Sequence, residues 1–340
     1  MTDFAKHLHN YIHLYLIGEC GVSANTIRSY KKGFRLLVIF MKDEKKIAPD
    51  KIELKHLNKN VILDFLKWLE IEHKNSISTR NQRYATICSF CKYLQYEEPD
   101  RMIEWQSIRS ISPKKEPRKA ITYLTMEGIK LLLEQIPDDT IASRRDLTML
   151  ALLYDSAARV QEIADLTVSC IRFEEPYFIK VTGKGNKERE IPLLKEQMKL
   201  LELYVKENNL NKSEKLMNPL FTNRFGGKLT TAGITYIFKK YVRKARLIDS
   251  NLIPESISPH TMRHSKAMHL VQAGINLIFI RDFLGHSSVI TTEIYARADS
   301  KQKREALESV YEDVIPQKGK VGSWEKDSKL RNDLNNLGIL

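Results

Sequence analysis

The chain has 340 residues, and 55 Lys plus Arg against 42 Asp plus Glu give a net charge of +13. That length exceeds one typical domain and suits two, each large enough to bury its own core. The basic excess points to a polyanionic partner, and because no apolar run approaches the roughly 20 residues that span a bilayer, nucleic acid is a better fit than a membrane. Met1 to Asn10 carries Asp3, Lys6, His7 and His9, unlike the apolar core of a secretory signal, so a cytoplasmic location is expected. Four cysteines, Cys20, Cys88, Cys91 and Cys170, are too few for a disulfide scaffold. Cys88-x-x-Cys91 matches half of a zinc or redox site, but it stands in a helical stretch with no second pair nearby, where small thiols simply pack. No metal and no cofactor is expected.

The first 112 residues read as helices: Phe4 to Tyr15, Tyr30 to Phe40 and Val61 to Leu69 each repeat apolar residues at helical spacing, and a fourth helix runs from about Ser78 to Gln95. Asn58 is placed to cap the third, and a short helix is expected near Lys55. Residues 113–120 then form a basic linker, Pro113-Lys-Lys-Glu-Pro-Arg-Lys119, whose two prolines favour an extended chain. Lys114, Lys115, Arg118 and Lys119 are either a solvated tether or a strap along a phosphate backbone.

A second domain is expected over residues 121–315. Helices are predicted at Thr125 to Gln135 and Ser143 to Asp155, followed by two strand-like runs, Tyr177 to Thr182 and Glu188 to Leu193. Gly183-Lys-Gly-Asn-Lys187 joins them as a tight turn rich in lysine. Helices resume at Glu196 to Lys206, Thr231 to Ala245, Met262 to Gln272 and Asn276 to Leu284; Gly285 suits a left-handed helix end, and Ser287 or Ser288 caps a helix from Val289 to Ala296. A last amphipathic helix is expected over Lys301 to Val314, and residues 316–340 form a polar tail. The fold class is therefore mainly α with a small β-sheet.

Transferring a phosphodiester without a metal requires a nucleophile, cations for the non-bridging oxygens and an acid for the departing oxygen. Arginine suits the second task because its planar fork donates two parallel hydrogen bonds and stays charged. Arg159, in Ala157-Ala-Arg-Val-Gln-Glu162, and Arg263, in His260-Thr-Met-Arg-His264, are candidates, although each alone also reads as a surface ion pair. His260 and His264 fall at the i, i+4 spacing of a helical zinc pair, but Thr261 stands where a zincin carries glutamate. His286 alone reads as a helix-end histidine, and Tyr295 alone as core.

Order and spacing change this. Tyr154-x-x-x-x-Arg159-x-x-Glu162, His260-x-x-Arg263, Leu284-Gly-His286 and Tyr295 nine residues later resemble the boxes of the tyrosine recombinases, the phage integrase family that includes the Xer site-specific recombinases. Gly183-Lys-Gly-Asn-Lys-Glu-Arg189 followed by Ile191-Pro192 is similar to that family's β-hairpin, and Ser23-Ala-Asn-Thr-Ile-Arg-Ser-Tyr30 to the second helix of its core-binding domain. The chain departs where the family often has Thr-Gly-Leu before the first arginine; here Ser156-Ala-Ala158 stands instead.

The resemblance implies a four-helix, SAM-like core-binding domain and an α+β catalytic domain that close as a clamp on double-stranded DNA at a specific site. It implies that Tyr295 attacks the scissile phosphate to form a 3′-phosphotyrosyl link, with exchange through a Holliday junction and no metal or ATP. Arg159, Arg263 and His286 would bind the phosphate, and Lys184, with Lys187 as the competing choice, would protonate the departing oxygen. His260 would accept the tyrosine proton or orient the phosphate, and Glu162 would orient Arg159 or the local helix rather than touch DNA. A tetramer on paired sites is implied, with the helix from Lys301 packing on a neighbour or on its own domain. A type IB topoisomerase and a silent DNA-binding regulator on the same scaffold are the alternatives.

Overall fold

The computed structural model describes residues 1–116, 120–183, 185, 187–298 and 328–336. The chain divides into two compact units, Met1–Lys119 and Ala120–Leu340.

In the first unit, helix α1 (Asp3–Asn10) starts at Thr2, whose hydroxyl accepts from the Ala5 NH, and runs into a π-helix over Tyr11–Glu19. Its wider turn buries Tyr11, Ile12 and Leu16, and the Tyr11 ring sits among Phe34, Phe90 and Tyr93 while its hydroxyl donates to Ser89 Oγ at 2.7 Å. Ser23 caps α2 (Ala24–Asp43), Asn58 caps α3 (Lys59–Ile71) as expected, and Ser76 caps α4 (Ile77–Glu97). The short helix anticipated near Lys55 is a 3-10 turn at Leu54–His56. Gly33 lets α2 and α4 approach closely, since a Cβ there would lie 3.2 Å from Thr86 Cγ2. A fifth helix, α5 (Met102–Arg109), was not anticipated; its Trp105 is fully buried, and Tyr84 donates to the carbonyls of Ile108 and Arg109 at 3.0 Å. Of the basic linker residues, Lys114 pairs with Glu70 at 2.8 Å and Lys115 is exposed; Arg118 and Lys119 lie outside the described residues.

The second unit begins with α6 (Met126–Glu134), capped by Thr125, and α7 (Ile141–Asp155), capped by Thr140 and Ser143 in reciprocal bonds. After the short α8 (Val160–Asp165) comes an antiparallel sheet in the order β1 (Ile171–Arg172), β2 (Phe178–Thr182), β3 (Glu188–Pro192). Its register pairs Ile179 with Ile191 and Val181 with Arg189. Ile179, Val181 and Ile191 face the core while Lys180 and Glu190 face out, the alternation that fixes a half-buried sheet. Helices α9 (Lys195–Glu207), α10 (Thr231–Ile248), α11 (Pro259–Gln272), α12 (Leu277–Leu284) and α13 (Ile290–Ala298) follow, and a further helix spans Ser328–Asn336.

The main core gathers α6, α7, α9, α10 and the sheet, whereas a smaller cluster of Ala157, Ala267, Met268, Val271, Ile280, Leu284 and Tyr295 binds α11, α12 and α13. Gly285 ends α12 in the left-handed region at φ 65°, as anticipated. The helix predicted over Lys301 to Val314 lies outside the described residues. Among the described residues the structure is mainly helical with one small sheet.

Candidate active site

The turn between α7 and α8 assembles the first part of the site. Ala157 adopts φ 47°, a left-handed conformation that costs an L-residue with a Cβ roughly 1–2 kcal/mol, and it is fully buried. This strained turn aims the Ala157 carbonyl at Arg263 and places Arg159, in extended conformation, at the N-cap of α8. Glu162, one turn on and 4% exposed, accepts from the Arg159 backbone NH at 2.7 Å and from Arg159 Nη1 at 2.8 Å. It also accepts from Arg189 on β3, Nη1 at 3.0 Å and Nη2 at 2.8 Å. Burial alone would raise the Glu162 carboxyl, but the bonds from Arg189 and Arg159 outweigh it, and the net shift is downward.

Arg263 projects from α11 and is 1% exposed; Nη1 donates to the Ala157 carbonyl at 2.7 Å and Nη2 to the Leu284 carbonyl at 2.6 Å. Burial, then the charges of Arg159 and Arg189, lowers its pKa to about 10, so it remains a cation at neutral pH. Arg159 Nη2 donates to the Gly285 carbonyl at 3.2 Å. The end of α12 thus sits between the two arginines. His286 follows at once, with Nδ1 3.0 Å from the buried Thr292 Oγ1; burial, then the Arg263 and Arg159 charges, takes it down to about 4.

Tyr295, on α13, is 1% exposed, and its hydroxyl lies 2.8 Å from His264 Nδ1. Burial raises the phenol, with Arg263 pulling the other way. His264 is lowered to about 4 by burial and then by His260 and Arg263, so at neutral pH the tyrosine hydroxyl meets an uncharged ring. The His260 ring is exposed and stands edge-on to His264 at 4.4 Å between centroids, with its pKa lowered first by desolvation from the surrounding protein and then by Arg263 and Arg159.

A cleft of about 710 Å³ opens over this assembly, lined by Arg159, Lys187, Arg189, Arg281, Gly285 and His286 among others. Of the residues singled out from sequence, Arg159 and His286 face the cleft, Arg263 and Tyr295 are buried, and Lys184 lies outside the described residues. Glu162, expected to orient Arg159 or the local helix, accepts from both the backbone NH and the guanidinium of Arg159. Three participants were not assigned roles from sequence: Arg189, His264 and Thr292. Arg189 stood within the quoted hairpin pattern and His264 was read only as the i+4 neighbour of His260, so the signals existed but their partners did not.

Residues 122–302 match the phage integrase family and residues 10–98 match the phage integrase N-terminal SAM-like domain. Among curated relatives, the tyrosine recombinase XerD of Oceanobacillus iheyensis is 32% identical over 92% of this chain and 99% of its own length. Tyrosine recombinase XerC of Thermodesulfovibrio yellowstonii is 30% identical over 88% of this chain and 94% of its own. Among solved structures, the Tn1549 transposon integrase in complex with transposon right-end DNA superposes with a TM-score of 0.70 at 18% identity, covering 91% of this chain and 99% of that one. The XerH site-specific recombinase bound to palindromic difH substrate, in a post-cleavage complex, gives 0.68 at 23% identity over 85% and 81%. No helix among the described residues is long and apolar enough to cross a membrane.

Proposed function

The chain belongs to the phage integrase family, and from that membership we propose how its residues divide the work, with Tyr295 as nucleophile. It is a site-specific tyrosine recombinase that cleaves and rejoins DNA strands. The observation that carries the assignment is that boxes more than a hundred residues apart converge: Arg263 and Arg159 are tied through the Ala157, Leu284 and Gly285 carbonyls beside His286 and the buried Tyr295.

In this reading Arg159 and Arg263 hold the non-bridging oxygens of the scissile phosphate, and His286 donates a further hydrogen bond as the five-coordinate state forms. The Tyr295 oxygen bonds to phosphorus while the bond to the 5′-oxygen breaks, and Lys184 supplies the proton that the leaving oxygen takes. His260 is the candidate to receive the phenol proton. The 3′-phosphotyrosyl ester keeps the bond energy, so a 5′-hydroxyl from the partner duplex reverses the step through a Holliday junction without ATP. Attack requires Tyr295 to leave His264, because a hydroxyl on a side chain 1% exposed does not reach a phosphate. Lys114, Lys115, Arg118 and Lys119 would track the phosphate backbone.

Four protomers on paired sites are the assembly this exchange needs, working in the cytoplasm with its DNA. Support comes from an apolar groove of about 460 Å³ lined by Pro192, Leu270, Ile275, Phe279, Ile280 and Phe283, in which Phe279 is 70% exposed. The segment Lys301 to Val314 of a neighbouring copy, with Leu307, Val310 and Tyr311 at helical spacing, has the apolar stripe to fill it. The SAM-like amino-terminal match disfavours the topoisomerase alternative.

The test selects a binding site from a random duplex pool and presents it as a nicked suicide duplex. A covalent adduct with wild type and none with Tyr295→Phe is expected; an equal adduct with both overturns the assignment.

A further inference from the structure

Arg189 has no role in the division of work above, yet it is the most heavily constrained charge beside the cleft. Each of its three guanidinium nitrogens has a protein acceptor: Nη1 and Nη2 meet the two oxygens of Glu162, and Nε meets the Phe283 carbonyl at 3.3 Å. Only 13% of its side chain is exposed. The chain has made room for it, since a Cβ on Gly285 would lie 2.8 Å from Arg189 Cδ. The same Gly285 offers its carbonyl to Arg159 Nη2, and the same Glu162 holds Arg159 Nη1. Arg189 therefore closes a ring of contacts around Arg159 from two sides, while β3 carries it on the hairpin whose turn bears Lys184 and Lys187.

We infer that Arg189 is a positioning residue for phosphoryl transfer: through Glu162 and the end of α12 it fixes the angle at which Arg159 meets the scissile phosphate, and it anchors the hairpin to α8. It does not bind DNA itself, because its fork is filled by Glu162. A guanidinium that kept Glu162 charged but left Arg159 free would need no second contact at the Phe283 carbonyl; the pairing of both contacts with both Arg159 anchors is what selects the positioning role. This rests on the reading of Arg159 as a phosphate clamp, and the experiment separates the two.

Single-turnover cleavage of the suicide duplex is measured for wild type, Arg189→Met, Arg189→Lys and Arg159→Ala. The scissile group is either phosphate or one of the two separated methylphosphonate diastereomers, in which a methyl replaces one non-bridging oxygen. On phosphate, Arg189→Met is expected to lower the rate at least tenfold with DNA affinity within twofold of wild type, and Arg189→Lys to recover part of the loss. On the diastereomer lacking the oxygen that Arg159 holds, the penalties of Arg189→Met and Arg159→Ala should shrink together. Equal Arg189→Met penalties on all three substrates would reduce Arg189 to a structural ion pair and overturn the proposal. If Arg159→Ala costs nothing on phosphate, the clamp reading fails, whatever Arg189 does.

Discussion

Replacing Glu162 with glutamine keeps the volume and removes the charge. The carboxylate receives four hydrogen bonds, two on each oxygen: Arg159 Nη1 and Arg189 Nη1 on Oε1, the Arg159 NH and Arg189 Nη2 on Oε2. Whichever position the amide nitrogen takes, two of those donors then face another donor, and Arg159, Arg189 and the nearby Arg263 lose their shared anion. Removing one partner of a buried ion pair costs about 3–5 kcal/mol. At 2–4 °C per kcal/mol for a unit of this size, Glu162→Gln should lower the thermal midpoint by roughly 6–20 °C, read by circular dichroism. Cleavage of the suicide duplex, measured well below that midpoint, should fall by about one to two orders of magnitude as Arg159 loses its orientation. A midpoint within about 2 °C of wild type, together with an unchanged cleavage rate, would refute the claim that this carboxylate organises the site.

Ala157 occupies a left-handed turn with no room to spare, so Ala157→Val should destabilise by about 2–4 kcal/mol from β-branched strain and overpacking, measured by urea denaturation. Ala157→Gly should stay within about 1 kcal/mol of wild type, since relief of strain is offset by the lost buried methyl and a more flexible unfolded chain. Thr292→Val removes the hydroxyl that turns His286, and single-turnover cleavage should drop about tenfold with little change in DNA affinity. His264 and His286 titrate near 4 when folded against 6.5 when not. The unfolded chain therefore takes up protons first, so stability is full above pH 6.5 and falls as the pH drops from there towards 4, which melting curves across that window would show.

Helix positions were legible wherever a cap adjoined an apolar stripe. Asn58 announces a helix that the structure contains, and Gly285 announces the end of α12. The π-helix over Tyr11–Glu19 was not legible, because a widened turn leaves the apolar spacing nearly unchanged and is decided by how Tyr11 packs between Phe34 and Phe90. Helix α5 was missed because it is eight residues long and owes its place to Trp105 and Ile108, both fully buried in the core of its unit. In the site, residue types and spacing named Arg159, Arg263, His286 and Tyr295, but not which of them would be open. Pairings such as Arg189 with Glu162, or Tyr295 with His264, join side chains 27 and 31 positions apart and arise only from tertiary packing. The Ser156-Ala-Ala158 departure also takes its meaning from the fold: Ala157 holds the left-handed turn in the place where the family often has glycine, so the backbone path is retained at a cost in strain.

Whether Tyr295 is the nucleophile can be read by trapping the wild-type chain on a suicide duplex, digesting the adduct and identifying the DNA-linked peptide by mass spectrometry. One modified residue is expected, Tyr295, esterified through the 3′-phosphate of the cleaved strand. A link on any other tyrosine, or one through a 5′-phosphate, would rule Tyr295 out as the nucleophile of this reaction.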